Sequence, residues 1–278
     1  MGDSDGRSPA AGSPSGARAA TRRVVAVTGA AGTIGRVVLA RLGDRYALRA
    51  LTHHSADFPS RTVELTDVDS LIESFRGADV VLHLAGASTV DSSWDSVLEA
   101  NIIGARNAFE ATAIAGVPKI VFASSNHVVG AYEVEAAPAI YRRAERGTID
   151  ENVETRPDSP YGVSKAFGEA LGRYYAEFRG LSVVCVRIGT VRPDDDPRPA
   201  NIASTAGWLE LTRDEKYERM RATWLSHRDC AELLAAAIDS DVRWAVVYGV
   251  SDNPRRFWSL EGARQLLGFH PADSAPDD

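Results

Sequence analysis

A glycine-rich turn near the N-terminus constrains the fold of this chain more than any other sequence feature. The turn contains Gly29, Gly32 and Gly35; the apolar run 23–27 precedes it, and a helical pattern follows to about Leu42. Glycines let the backbone turn tightly and let a pyrophosphate approach the N–H groups at the helix N-terminus. Three glycines alone also fit an ordinary tight turn, but the strand before them and the helix after them favour a dinucleotide-binding turn.

Strand and helix patterns alternate along the rest of the chain. Strands are predicted from apolar runs, and helices from the spacing of apolar residues between those runs. The predicted strands cover 46–51, 63–65, 79–84, 119–125, 181–188 and 245–249, and the predicted helices cover 67–75, 94–116, 160–179, 226–240 and 260–267. This alternation predicts an α/β protein with a doubly wound parallel sheet, a Rossmann fold, and a small C-terminal substrate-binding region.

Two segments interrupt the alternation. Residues 133–159 are polar and predicted to form a loop, and the Pro- and charge-rich residues 191–199 precede a short helix predicted around Trp208, Leu209 and Leu211. Long segments of this kind usually form a lid or a substrate loop. The domain organisation predicted from these boundaries is a disordered tail over 1–22, a dinucleotide-binding domain over 23–190, a substrate-binding or lid region over 191–270 that returns to the core, and a tail over 271–278.

Composition and charge narrow the class of function. The chain has 278 residues, 44% of them hydrophobic, and a net charge of −7 without a Lys/Arg-rich block, so nucleic acid is not expected as a partner. The N-terminal residues lack the apolar core of a signal peptide, and later apolar runs are too short to span a bilayer, so we expect no membrane partner and a cytoplasmic location. Cys185 and Cys230 lack metal-ligand spacing, so we expect buried apolar thiols and no metal site.

Three residues have the chemistry of a proton-transfer site. Tyr161 and Lys165 are four residues apart, so on a helix they share one face, and Ser125 ends a buried strand. A nearby ammonium favours the phenolate, so Tyr161 is predicted to accept a proton at a lower pH than free tyrosine, while Ser125 hydrogen-bonds the reacting oxygen. A Tyr–Lys pair at this spacing also occurs on exposed helices, but the glycine turn and the serine at the strand end favour the catalytic interpretation.

The pattern resembles the short-chain dehydrogenase/reductase superfamily in its extended, sugar-processing branch, and within that branch it is most similar to NAD-dependent uronate dehydrogenases. The resemblance covers residues 24–271. Its general motifs are the glycine turn, Ser125 and the pair Tyr161 and Lys165. Its more specific motifs are Asn-Ile-Ile-Gly at 101–104, Phe-Ala-Ser-Ser-Asn-His at 122–127, Tyr-Gly-Val-Ser-Lys at 161–165, Arg-Ile-Gly at 187–189, Arg-Met at 219–220 and Thr-Trp-Leu-Ser at 223–226.

The resemblance implies roles for individual residues. Tyr161 is implied as the catalytic base, Lys165 as the residue that binds the nicotinamide ribose and tunes Tyr161, and Ser125 as the group that orients the reacting oxygen. Arg219 matches the arginine that grips a substrate carboxylate. The other implied substrate contacts are Ser88, Asn126, His127 and Thr190; the implied cofactor contacts are Gly29, Gly32, Thr33, Ile34, Gly35, His53, Glu64, Leu65, Leu84, Ala85, Gly86, Asn101 and Lys165.

Three departures from the family pattern bear on specificity. His53 stands where the family has an acid that binds the adenosine ribose of NAD, so NADP is expected as a second cofactor beside NAD. The segments 133–157 and 191–217 are longer than in the family pattern, and both are expected to border the substrate pocket.

Two interpretations of Arg219 stay open. A guanidinium offers two parallel N–H groups that fit a carboxylate, which supports anion binding. Alternatively, Arg219 is a solvated helix arginine paired with Glu215 or Glu218, because exposed ion pairs of that kind are common.

These expectations combine into one function and two alternatives. The function is an oxidoreductase that transfers a hydride from C1 of a uronic acid or related sugar to NAD(P) and gives a lactone. One alternative is an epimerase or dehydratase acting on a nucleotide-activated sugar, against which the short C-terminal region argues. The other is a non-catalytic dinucleotide-binding protein, against which the presence of both Tyr161 and Lys165 argues. In relatives the helices equivalent to 94–116 and 160–179 pair between subunits, so the resemblance also implies a homo-oligomer.

Overall fold

Seven parallel strands form one sheet at the centre of the described part of the chain. The structure, a computed structural model, describes residues 1–2, 22–142, 147–202 and 209–277, so the tail predicted for 1–22 lies almost entirely outside the described residues. The strands are β1 (Val24–Thr28), β2 (Ala47–Thr52), β3 (Arg61–Thr62), β4 (Val80–His83), β5 (Lys119–Ser125), β6 (Ser182–Ile188) and β7 (Trp244–Gly249). Their order across the sheet is β3-β2-β1-β4-β5-β6-β7.

Helices connect the strands and cover both faces of the sheet. They are α1 (Thr33–Leu42), α2 (Val68–Phe75), α3 (Trp94–Val97), α4 (Gly104–Ile114), α5 (Gly130–Ala136), α6 (Pro160–Phe178), α7 (Arg213–Thr223), α8 (His227–Asp239) and α9 (Glu261–Leu267), with a π-helical turn at Leu98–Ile103 and 3₁₀ turns at Asn126–Val129 and Ala139–Arg142. Successive strand side chains point to opposite faces, so Val25 and Val27 pack with residues of α1 and α8, whereas Ala26 packs with residues of α2 and α4. The predicted doubly wound parallel sheet is confirmed.

The strand order reverses at β1, because β2 and β3 lie on one side of it and β4 to β7 on the other. In parallel sheets such a reversal leaves a crevice beyond the carboxyl ends of the strands. The glycine turn follows β1, the small-residue turn 84–88 follows β4, and Ser125 ends β5. The residues predicted to be functional therefore meet at this crevice.

The helix predicted for 94–116 is three elements rather than one. The π-helical turn Leu98–Ile103 separates α3 from α4. Inside that turn, the amide of Asn101 donates to the carbonyl of Ala87 at 3.0 Å and to the hydroxyl of Ser164 at 2.9 Å. An apolar pattern predicts which face of a helix is buried, but it does not predict such a turn, whose partners come from other segments.

The polar stretch before α6 and the region before Ser226 contain helical structure that the sequence pattern did not predict. Residues 133–159, predicted as a loop, begin inside α5 and continue into the 3₁₀ turn Ala139–Arg142. The helix α7 buries Arg219 and Thr223, so polar side chains occupy its inner face and hide the apolar periodicity.

Two further boundaries differ from the prediction. Leu209 and Leu211 lie outside any helix, and Trp208 lies outside the described residues, so the short helix predicted there is not formed by the two leucines. The third strand is Arg61–Thr62 rather than 63–65.

The C-terminal residues are tied to α8. Ser226 caps this helix as predicted, since its hydroxyl accepts from the backbone N–H of Asp229 at 3.0 Å. Asp229 does not complete a capping box, because its carboxylate accepts from the backbone N–H groups of Ala272 at 2.8 Å and Asp273 at 3.1 Å. The segment predicted as a polar tail from residue 271 therefore packs against the fold, with Ala275 buried.

Candidate active site

One cleft at the crevice collects the predicted site residues. It encloses about 1000 Å³, and its lining extends from the glycine turn to α7. Every predicted site residue except Asn101 lines it. Those residues are Gly29, Gly32, Thr33, Ile34, Gly35, His53, Glu64, Leu65, Leu84, Ala85, Gly86, Ser88, Ser125, Asn126, His127, Tyr161, Lys165, Thr190 and Arg219.

The glycine turn has the shape of a pyrophosphate cradle. Gly29 has a φ of +68°, and a Cβ at that position would lie 2.7 Å from the backbone nitrogen of Ala85, so only glycine fits. Gly32, which has no side chain to cap a helix, occupies the N-cap of α1. The backbone N–H groups of this helix end and the helix dipole therefore offer a site for phosphate oxygens, and the residues present fit a dinucleotide.

An ion pair lies at the end of the cleft assigned to the adenosine ribose. His53 Nδ1 lies 2.7 Å from Glu64 Oε2, and both side chains are exposed. The family acid is absent at position 53, but this contact places the carboxylate of Glu64 beside the imidazole that replaces it.

Asn101 lies behind the cleft rather than in its lining. It is 4% exposed, and its Oδ1 has no hydrogen-bond partner in the part of the chain that the structure describes. Gly86 faces this oxygen with a φ of +146°, and a Cβ on Gly86 would lie 2.5 Å from Oδ1. The hydrogen bonds of Asn101 to Ala87 and Ser164 hold the turn 84–88 against α6, and its role as a cofactor contact stays a prediction.

Ser125, Tyr161 and Lys165 converge on the floor of the cleft. β5 ends at Ser125, and α6 begins at Pro160, so the first turns of α6 place Tyr161 and Lys165 against the end of β5. Ser125 lies close enough to Tyr161 to lower the pKa of its phenol. The Lys165 amine donates to the carbonyl of Ala123 at 2.8 Å and lies 5.6 Å from the centre of the Tyr161 ring.

The charge states of this group differ from the expectation. Burial raises the pKa of Tyr161; Ser125 opposes the rise, and the charge of Asp158 adds to it. Burial also lowers the pKa of Lys165 to about 8. The predicted lowering of the tyrosine pKa by the ammonium is therefore wrong for this structure, because loss of contact with water disfavours both charged forms.

A histidine–aspartate pair stands beside the tyrosine. His127 Nδ1 lies 2.7 Å from Asp158 Oδ2, and only 1% of the aspartate side chain is exposed. The imidazole meets the Tyr161 ring edge to face, with the ring centres 5.8 Å apart. A carboxylate at Nδ1 holds an imidazole in one orientation, here with its ring in the cleft lining.

Arg219 lines the cleft, and its surroundings exclude one of the two interpretations that the sequence leaves open. It is 6% exposed, so it is not a solvated arginine, and Glu215 and Glu218 pair with Arg142 instead. Its Nε donates to Glu133 Oε1 at 2.7 Å and its Nη2 to Glu133 Oε2 at 3.3 Å. The guanidinium thus already holds a carboxylate of this chain.

Residues 25–207 match the family described as NAD dependent epimerase/dehydratase family. The chain belongs to that family. It also resembles individual members over nearly its whole length. The NAD-dependent glucose-6-phosphate dehydrogenase of Haloferax volcanii is 38% identical over 91% of this chain and 94% of its own length. The L-arabinose 1-dehydrogenase (NAD(P)(+)) of the same organism is 36% identical over 90% of this chain and 97% of its own length.

A solved structure of a uronate dehydrogenase from Agrobacterium tumefaciens, a tyrosine-to-alanine variant in complex with NAD, has the same fold. Its TM-score to this family member is 0.72 at 30% identity, covering 92% of this chain and 86% of that one. The predicted membership of the extended short-chain dehydrogenase/reductase group is confirmed, as is NAD as the cofactor. The protein is an NAD-dependent dehydrogenase that acts on a CH–OH group.

Three carboxylates that no sequence motif predicts support the site of this family member. Asp158 holds His127, Glu133 holds Arg219, and Glu169 accepts from Ser124 Oγ at 2.6 Å. Glu169 also holds a buried arginine of β6, Arg187, so it ties α6 to the two central strands that end in the site. Each acid lies in a polar or helical stretch where acids are ordinary, so the sequence carried no signal for them.

The two long segments contribute unequally to the cleft. Of 191–217, the residues Val191, Arg192 and Pro193 line it. Of the described residues in 133–157, none does, so that segment lies one layer behind the lining, where Glu133 reaches Arg219.

Three further predictions concern the cysteines, metal sites and membrane spans. Both cysteines, Cys185 and Cys230, are free and buried as predicted. Within the described residues, no cluster of three His, Cys, Asp or Glu side chains has the arrangement of a metal site. In the same residues, no helix combines the length and apolarity needed to cross a membrane.

Proposed function

We propose that this family member oxidises C1 of a free cyclic sugar, a uronic acid or a related sugar, passes the hydride to NAD and releases a lactone. The observation that carries the proposal is the convergence of Ser125, Tyr161 and Lys165 in the cleft that also contains the glycine turn. The similar proteins support the substrate class, because their names give glucose 6-phosphate, L-arabinose and uronate, each an aldose derivative with an oxidisable C1.

Tyr161 handles the proton in this reaction. NAD, when bound, accepts the hydride. The substrate hydroxyl gives its proton to Oη of Tyr161, which accepts it in the phenolate form. Ser125, which lines the cleft beside Tyr161, donates to the same substrate oxygen as charge develops on it. Lys165 Nζ lies 5.6 Å from the ring centre, and its positive charge favours the phenolate without outweighing the effect of burial.

The neighbouring residues hold the sugar. Asn126 and His127 line the cleft directly after the strand end, and Thr190 lines it from the end of β6. Asp158 fixes the imidazole of His127, and Thr223 Oγ1 lies 2.9 Å from Thr190 Oγ1. Polar groups held in this way can recognise several ring hydroxyls at once.

A substrate screen tests the proposal. Free aldoses, uronic acids, aldose phosphates and nucleotide-activated sugars are each incubated with NAD and with NADP, and NADH or NADPH and lactone are measured. We expect reduced cofactor and lactone in equal amounts from a free sugar. Conversion of a nucleotide-activated sugar without accumulation of NADH would replace the proposal with the epimerase alternative.

Substitution of the tyrosine tests the assigned base. Tyr161→Phe removes only the hydroxyl, so we expect turnover to fall by a factor on the order of a hundred or more. NADH affinity, measured by fluorescence titration, should stay within about threefold of the parent, because only a hydroxyl assigned to proton transfer is lost. Turnover like that of the parent would disprove the assignment.

A further inference from the structure

The charge of Arg219, at the substrate end of the cleft, is already balanced by a carboxylate of the same chain. Glu133 is 1% exposed and Arg219 6% exposed, so the pair is shielded from water. Arg219 Nε lies 2.7 Å from Glu133 Oε1 and Arg219 Nη2 lies 3.3 Å from Glu133 Oε2, so Glu133 occupies the Nε–Nη2 edge of the guanidinium. A carboxylate bound side-on to an arginine uses this type of edge.

Glu133 is held in place by its surroundings. The buried hydroxyl of Tyr141 donates to Glu133 Oε1 at 2.8 Å. Glu133 lies on α5, Tyr141 on the following 3₁₀ turn and Arg219 on α7, so the pair joins three elements. Arg142 strengthens the junction through Glu218 of α7 at 2.8 Å. A bound substrate cannot displace Glu133 without disturbing this junction.

The second arginine near the substrate end is compensated in the same way. Arg192 also lines the cleft, and it contacts Asp194 at 2.9 Å and 3.1 Å. A substrate anion placed here meets two arginines whose charges are already balanced by carboxylates of the chain.

We propose that Glu133 cancels the charge of Arg219 and thereby makes the site select a neutral cyclic aldose over the matching uronic acid. This inference rests on the proposed function and narrows its substrate class. An ion pair still offers polar atoms, so the guanidinium donates hydrogen bonds to a neutral sugar hydroxyl. It attracts a carboxylate far less than an uncompensated arginine does, because the nearby glutamate repels that carboxylate.

The parent protein gives the first test. D-Glucose with D-glucuronate, and D-galactose with D-galacturonate, are pairs that differ only in the group at C6. We expect kcat/KM for the neutral member of the better pair to exceed that for the acid by at least about tenfold, carried by KM rather than kcat.

A charge-removing variant gives the second test. Glu133→Gln keeps the size and the polar atoms but removes the charge, so the uronate-to-aldose ratio of kcat/KM should rise by about tenfold or more, through a lower KM for the acid. Glu135→Gln is the matched control, because Glu135 lies on the same helix but is exposed and pairs with Arg156 at the surface. It should leave the ratio unchanged. Far-ultraviolet circular dichroism and NADH titration check that each variant is folded.

The outcomes separate the inference from the function on which it rests. A parent protein that turns over uronic acids better than the matching aldoses overturns the inference and leaves the proposed function intact, and this test does not depend on whether a variant folds. A folded Glu133→Gln protein with the parent ratio also overturns it. Formation of no NADH from any free sugar overturns the proposed function and the inference together.

Discussion

Lys165 carries a charge into the protein interior, and this predicts a conflict between stability and activity. Burial lowers its pKa to about 8 from an ordinary 10.5. Replacing it by Met removes the buried charge and keeps a chain of similar length. We expect Lys165→Met to lose turnover. Its unfolding free energy at pH 7 should rise by up to about 3 kcal/mol, reduced by the contribution of the lost hydrogen bond to Ala123.

The pH dependence of this difference follows from the direction of the shift. Between pH 8 and 10.5 the unfolded parent chain binds the lysine proton while the folded chain has released it, so the stability of the parent rises with pH over that window. The advantage of Lys165→Met should therefore shrink from pH 7 to pH 10, measured by urea unfolding without added NAD. A variant less stable than the parent at pH 7 would show that the amine stabilises the fold.

We expect His53 and Glu64 to set the choice between NAD and NADP. The histidine replaces the family acid, but Glu64 lies 2.7 Å from it and restores a carboxylate near the ribose end. We expect a preference for NAD with measurable use of NADP. His53→Asp adds a negative charge near the 2′-phosphate of NADPH, so the ratio of NADPH to NADH affinity should fall by about tenfold. Glu64→Gln removes a negative charge there, so the same ratio should rise by about tenfold.

Fluorescence titration with NADH and NADPH measures these affinities directly. Glu73→Gln is the control, since Glu73 is an exposed acid on α2 that pairs with Arg61. If the parent prefers NAD by many hundredfold and Glu64→Gln does not change that preference, another residue reads the ribose.

At the residue scale, motifs were predictable and their partners were not. Tyr161 and Lys165 are separated by the spacing of one helical turn, and Ser125 lies at the end of an apolar run. The pair and the serine were therefore predictable from the sequence. Glu133 and Arg219 are 86 positions apart. No local pattern joins such residues, because their contact depends on how α5 and α7 pack.

At the scale of elements, the turn after β4 and the π-helical turn form one unit. Gly86 has a φ of +146°, and a Cβ there would lie 2.5 Å from the Oδ1 of Asn101. Gly86→Ala therefore combines backbone strain with a steric clash, and we expect it to lower the unfolding free energy by about 1–3 kcal/mol. It should also weaken NADH binding, because the displaced turn lines the cleft.

Gly77→Ala separates the two effects. Gly77 also has a positive φ, +72°, but nothing lies within 4 Å of a Cβ added there. This control should lose stability through backbone strain alone and keep the NADH affinity of the parent. Thermal unfolding and NADH titration of both variants make the comparison. Equal NADH affinity in the two variants would mean that the contact with Asn101 does not shape the cleft.

The parallel strands and their connecting helices were predictable because their signals are local. Each strand is an apolar run, and helices such as α6 and α8 begin at Pro160 and after Ser226, as their start signals indicated. α7 was missed for the opposite reason. Its inner face includes Arg219 and Thr223, whose burial is favourable only once partners from α5 and β6 are in place.

At the scale of the whole molecule, large apolar side chains of α3, the π-helical turn, α4 and α6 are exposed to water. α4 and α6 pack side by side over the same face of the sheet and leave side chains in water. The exposed fractions are 56% for Trp94, 50% for Leu98, 42% for Ile103, 55% for Ile114, 43% for Val163, 46% for Tyr174 and 73% for Phe178. Apolar patches of this kind commonly mark a protein interface.

We expect this face to join two copies of the chain. A two-fold axis through the α4–α6 face would place the same side chains of both copies against each other and cover them. Light scattering after size exclusion should then give twice the chain mass of 29.8 kDa. Phe178→Lys should shift the protein to monomer, because it puts a charge beside Tyr174 at the patch. Leu266→Lys is the control, since Leu266 is 47% exposed on α9, away from this face, and should leave the mass unchanged. A parent protein that stays monomeric at tens of micromolar would disprove the dimer.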